Sequence, residues 1–177
     1  MQHLIEHLVT SRNAFLDELH GMAPAQWTFR PAPGRWSCFE VLEHVATVET
    51  GIFELISTKL FTRPATPEQK AQTRGKDELV IETMRNRDAR LEAPPFLRPS
   101  RRWPAPAEAI AALVDSRDAT IAFLAREKRD LRDFAAPHPI MSTLDGYQWV
   151  LFMVAHADRH REQIHEIKTL RGFPPPA

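Results

Sequence analysis

The constraint that most narrows the folds open to this chain is where its 15 prolines fall. They lie outside four stretches whose apolar residues recur at helical spacing, so residues that cannot sit inside a helix mark the connections. Leu4, Leu8, Ser11, Phe15, Leu19 and Met22, widened by Ile5 and Leu16, predict a first helix of about eighteen residues that ends near Gly21 and Pro24. The segment APAQWTFRPAPGRWS that follows is a folded connection, whose Trp27 and Trp36 are expected to cover the end of a bundle. Ser37 with Glu40 three residues on reads as a capping box, flanked by Trp36 and Val41 in staple positions. From there Val41, Leu42, Val45, Val48, Ile52, Phe53, Leu55 and Ile56 form two apolar stripes and predict a second helix to about Leu60.

Residues 61 to 105 are rich in proline and far longer than a hairpin requires, with room for a short helix from about Asp77 to Leu91. Ile110, Leu113, Val114, Ile121 and Leu124 mark a third helix. A second proline-containing stretch, around Pro137 and Pro139, leads to a fourth from about Leu144 to Leu170. The expected class is all-α: one domain over residues 1–177, a four-helix bundle in up-down-down-up order with a long crossover between its second and third helices. All-antiparallel order is the alternative if the segment from Asp77 adds an element.

Lys plus Arg and Asp plus Glu both total 23, which gives no net pull toward nucleic acid or an anionic membrane. Cys38 is the only cysteine, so no intrachain disulfide and no multi-cysteine zinc module is available. MQHLIEHLVTSRNAFL does not read as a signal peptide, and no run approaches the roughly 20 apolar residues of a membrane span. The cytoplasm is the expected compartment.

Eight histidines need a reason. At 100° per residue, Trp149, His160, Gln163 and Ile167 fall within about 40° of His156 on the fourth helix. Asp158, Arg161 and His165 point away from that face. Two inward imidazoles one turn apart can share one metal ion, and inward polar groups without a partner are costly. His44 shares a face of the second helix with Val41, Val48, Gly51 and Leu55, and Gly51 leaves room beside it. Antiparallel packing of the second and fourth helices would bring His44 and His156 to similar height.

The remaining histidines carry weaker signals. His3 and His7 are spaced like ligands but lie at a fraying end, and His20 sits at a helix C-terminus, where the dipole favours an imidazolium. His138 precedes Pro139 and is placed to flank a pocket. His165 belongs to a Glu162-x-x-His165 pattern of di-iron bundles, but faces outward. No HExxH is present, so a zincin-type peptidase is unsupported. Cys38, in the first turn of a helix, is a candidate for thiol activation, with a small packed residue as the more ordinary reading. Gln163 and Glu40, each near an inward histidine, are candidates to orient one.

WTFRPAPGRWSCFEVLEHVATVE and LFMVAHADRHREQIHEI resemble the two signature regions of the DinB-like, or YfiT-like, metalloprotein superfamily, and the resemblance spans nearly the whole chain. It implies a four-helix bundle in up-down-down-up order, a metal ion on His44, His156 and His160, and a homodimer. Some members resemble thiol S-transferases that use a low-molecular-weight thiol, and others are described as metal-dependent hydrolases. The expected function is therefore a metal-dependent enzyme acting on a small molecule, thiol S-transferase-like in the first instance. A hydrolase is the alternative, as is a metal- or small-molecule-binding stress protein without catalysis. Three histidines suit zinc or nickel foremost, then iron or manganese.

Overall fold

The computed structural model of the chain describes residues 1–88 and 91–176. Among them are the helices α1 (Gln2–Leu19), α2 (Pro24–Thr28), α3 (Cys38–Glu54), α4 (Pro67–Thr73), α5 (Asp77–Arg85), α6 (Pro106–Arg126) and α7 (Gly146–Lys168). The long helices α1, α3, α6 and α7 form the bundle, in which α1 and α3 each pack against both α6 and α7.

Two layers of the core give the helix directions. One layer gathers Phe15 and Leu19 from the end of α1, Cys38 to Ala46 from the start of α3, Ala109 and Leu113 from the start of α6, and Ile164 and Ile167 from the end of α7. The other gathers Leu4 and Leu8, Val48 and Ile52, Leu124, and Trp149 to Ala155, which are the opposite ends of the same four helices. Only up-down-down-up order satisfies both layers. The crossover between α3 and α6 carries α4 and α5, and α5 lies on α7 with Val80 and Met84 buried.

The layers are tied together by a buried ion pair. Arg117 of α6 donates through Nε to Glu49 Oε2 of α3 at 2.8 Å and through Nη2 to Oε1 of the same carboxylate. Its Nη1 donates to Leu8 O and Ser11 Oγ of α1, both at 2.8 Å. One guanidinium thus binds three helices.

Local structure departs from the sequence expectations in four places. The second bundle helix reaches Leu60 as expected, but after Glu54 it widens into a π turn (Leu55–Lys59) and then tightens into a 3-10 turn (Leu60–Thr62). Ser57 and Thr58 donate to the carbonyls of Phe53 and Glu54 there, and such back-bonding competes with the helical ladder. The crossover helix ends at Arg85 rather than near Leu91, because Asn86 accepts the amide of Asp88 through its side chain and turns the chain; residues 89 and 90 lie outside the described residues.

The connection before α7 contains a small antiparallel hairpin, Ala135–His138 with Ser142–Asp145, an addition to an otherwise helical fold. Finally, α7 starts at Gly146 rather than Leu144. Asp145 accepts the amide of Gln148 at 2.8 Å while Gln148 Oε1 accepts that of Asp145, a capping box that sets the boundary. A Cβ at Gly146 would come within 2.7 Å of Leu60 and 2.9 Å of the Leu131 carbonyl, so glycine is needed for this approach. Among the described residues no helix is long and apolar enough to cross a membrane.

Candidate metal centre

His44 lies in the second turn of α3, whose start is set by Ser37 accepting the amide of Glu40 and Glu40 accepting that of Ser37. His156 and His160 lie one turn apart in the second half of α7. Because α3 and α7 run antiparallel, the three imidazoles meet: His44 Nε2 is 3.1 Å from His156 Nε2, and one ring nitrogen from each histidine lies within 4.8 Å of the others. Tetrahedral zinc with bonds of about 2.0 to 2.1 Å separates its ligand nitrogens by about 3.3 Å, so the first pair is already at that spacing.

Neighbouring groups settle the protonation of two rings. The Leu97 carbonyl, 2.7 Å from His44 Nδ1, can only accept, so that nitrogen carries the proton and Nε2 keeps its lone pair. Gln163 Oε1 stands 2.8 Å from His160 Nδ1 and does the same for His160. His156 Nδ1 is buried without a hydrogen-bond partner among the described residues, an orphaned group that packing alone leaves unexplained. Burial holds all three imidazoles below their ordinary 6.5, His156 and His160 well below; neighbouring imidazoles add to it at those two, while the Leu97 carbonyl opposes it at His44. They are therefore neutral, the form that binds a metal ion, and the donor set fits a divalent cation.

The crossover presents Leu97 because it is pinned to α3 beside His44. Buried Glu43 accepts the amides of both Ser100 and Arg102 at 2.8 Å. Trp36 lies against His44 with ring centroids 4.9 Å apart, and Phe152 against His156 at 5.3 Å. Neither the Leu97 carbonyl nor the Glu43 clasp was foreseen, since no periodicity marks a loop carbonyl; Leu97 ends a 3-10 turn (Pro95–Leu97) that the proline pair Pro94–Pro95 begins.

His156 and His160 of the triad line a cavity of about 250 Å³. Its walls include Trp36, Ile52, Leu97, Ile140, Trp149 and Phe152, and His138 lines it too, as its position before Pro139 suggested. Gly51 also lines this cavity, and a Cβ added there would meet nothing within 4 Å.

The other candidates sort out clearly. Gln163 orients His160 as expected, whereas Glu40 serves the helix cap and pairs with Arg30 at 2.6 Å, away from the triad. Cys38 is fully buried and its thiol is pushed up to about 11 by that burial, so it is a packed residue and not an activated one. His165 is exposed on the far side of α7, 3.5 Å from Glu18. His3 and His7 stack on one another at the start of α1 and do not join the triad.

The family model described as the DinB superfamily matches residues 7–164. This chain belongs to the DinB superfamily. It is 24% identical over 152 residues to YuaE, an uncharacterized protein of Bacillus subtilis strain 168, covering 86% of this chain and 89% of YuaE. Its fold is similar to that of YfiT from Bacillus subtilis, with a TM-score of 0.60 at 17% identity over 94% of this chain and 85% of YfiT. YfiT is described as a probable metal-dependent hydrolase with an unusual four-helix bundle topology, and the structural similarity places this DinB-superfamily chain in the same fold.

Proposed function

We propose that this protein is a metal-dependent enzyme that acts on a small molecule, with His44, His156 and His160 as the metal ligands and a thiol S-transferase-like activity. The observation that carries this reading is the cavity: an apolar chamber is lined by His156 and His160, whose ring nitrogens cluster with that of His44 just behind them. A divalent ion there leaves positions open and acidifies a thiol or water bound to it near neutral pH. The chain's own residues do the remaining work. Trp149 and Phe152 keep the approach dry and hold the apolar part of a substrate, while the Leu97 carbonyl and Gln163 keep the rings of His44 and His160 in ligating orientation.

Thiol chemistry suits this chamber better than hydrolysis. Among the described residues Glu92 is the one carboxylate in the lining; it is exposed and 3.8 Å from Arg98, so no buried carboxylate stands ready to move protons to and from water. A thiolate needs no such base once its proton is lost. Hydrolysis is the second reading, supported by the likeness to YfiT.

The two separate in one experiment. Metal-loaded protein is assayed with a panel of small thiols against an apolar electrophile such as 1-chloro-2,4-dinitrobenzene, and in parallel with an aryl ester. Metal-dependent conjugation absent from the His156→Ala, His160→Ala variant supports transfer. Ester cleavage alone favours hydrolysis, and turnover in neither assay favours a binding protein.

A further inference from the structure

His138 is a polar residue of the cavity that the metal centre leaves unused. It ends the first hairpin strand, is only 7% exposed, and lies edge-on to Phe152 at 4.4 Å and tilted against Trp149 at 4.7 Å. Its Nδ1 accepts the amides of Ile140 at 3.3 Å and Met141 at 3.2 Å, so the hairpin turn holds that nitrogen bare. Burial lowers the ring to about 4, leaving it neutral with its single proton on Nε2. That N–H has no hydrogen-bond partner among the described residues.

Two other donors of the lining are committed. Trp149 Nε1 gives its proton to the Ala136 carbonyl at 3.4 Å, and Arg159 Nη1 serves the carbonyls of Met84 and Asn86 at 2.9 and 2.6 Å. An accessible donor on a cavity wall, with its ring set against Trp149 and Phe152, is free to meet an acceptor that enters the cavity.

We propose that the cavity binds apolar, aromatic-sized molecules that carry one hydrogen-bond acceptor, and that Nε2–H of His138 recognises that acceptor. A cavity of about 250 Å³ exceeds the roughly 150 Å³ that holds benzene, so a substituted ring fits. The proposal rests on the reading that substrates reach the histidine triad through this chamber. His138 is then a substrate-binding residue: it orients a carbonyl or similar group without offering a proton-transfer site near neutral pH.

The test uses two probes of nearly equal size, acetophenone with a carbonyl and ethylbenzene without, titrated into metal-loaded protein and followed by NMR. The parent binds both. His138→Phe weakens acetophenone about fivefold to tenfold, the size of one net hydrogen bond, and changes ethylbenzene less than twofold. Gly51→Leu, which fills the chamber, abolishes both. Retained ethylbenzene binding shows that the His138→Phe cavity is intact. Independently of any variant, the Nε2–H resonance of His138 in the parent shifts with acetophenone and not with ethylbenzene.

Equal effects on both probes, an unshifted resonance, or no saturable binding to the parent overturns the proposal. Metal content of each sample separates this from the enzyme reading. Metal without the probe pattern sinks the His138 role alone, and the probe pattern without metal sinks the metal reading alone.

Discussion

Two of the polar clusters buried in the bundle are built on opposite principles. Around Arg117 and Glu49, both carboxylate oxygens are bonded, and Nε, Nη1 and Nη2 of the guanidinium all donate, with each side chain 1% exposed. Around His44, His156 and His160, one Nδ1 has no partner among the described residues, the bonds at Nδ1 leave at least two Nε2 lone pairs, and His156 and His160 line a cavity. A closed network holds helices together. An incomplete one is a site, because its missing partner has to come from outside.

Three substitutions or titrations sharpen the contrast. The largest effect is expected at the closed cluster: Glu49→Ala strands a buried guanidinium and should cost about 3 to 5 kcal/mol in urea unfolding. Arg117→Met combined with Glu49→Leu should recover most of that. Metal content per folded chain should not change in either. A loss below about 1 kcal/mol for Glu49→Ala would erase the distinction.

Acid should act on the open cluster and its neighbour. His138 titrates at about 4 folded and near 6.5 unfolded, so the unfolded chain takes up the proton first as pH falls. Its contribution to stability is intact above about 6.5, declines between there and 4, and is fully lost below, for roughly 3 kcal/mol in all. The triad histidines, lowered in the same direction, steepen the decline, and metal loading should reduce their share. Denaturation midpoints at pH 7, 5.5 and 4 that fail to fall would contradict the burial argument.

The smallest effect is a gain. Gly51→Ala, in helical backbone with open space at its Cβ, should stabilise the protein by about 0.5 to 1 kcal/mol, since glycine in a helix is held there at a cost. A destabilised variant would mean that the chamber wall needs glycine for packing and not for space.

How much of this could be read from the sequence follows the reach of each signal. The bundle helices were legible because Leu4, Leu8 and Phe15, or Ile164 and Ile167, repeat on one stripe, and the Ser37–Glu40 box fixed the start of α3 to the residue. The triad was legible because inward histidines stand out on apolar faces and the connection lengths set α3 against α7. The hairpin was not, since strands of four residues containing Pro137 look like loop. Asp145–Gln148 is a capping box of the same logic as Ser37–Glu40, yet it lay under an apolar run that suggested Leu144. The His138 tautomer was out of reach altogether, because it depends on where the amides of Ile140 and Met141 point.

The most direct measurement is metal content per chain, by elemental analysis of protein purified without an affinity tag or chelator, beside the His156→Ala, His160→Ala variant. The expected result is near one divalent ion per parent chain and background in the variant. No metal in either after reconstitution with zinc, nickel, iron and manganese would contradict the metal centre and leave the bundle alone standing.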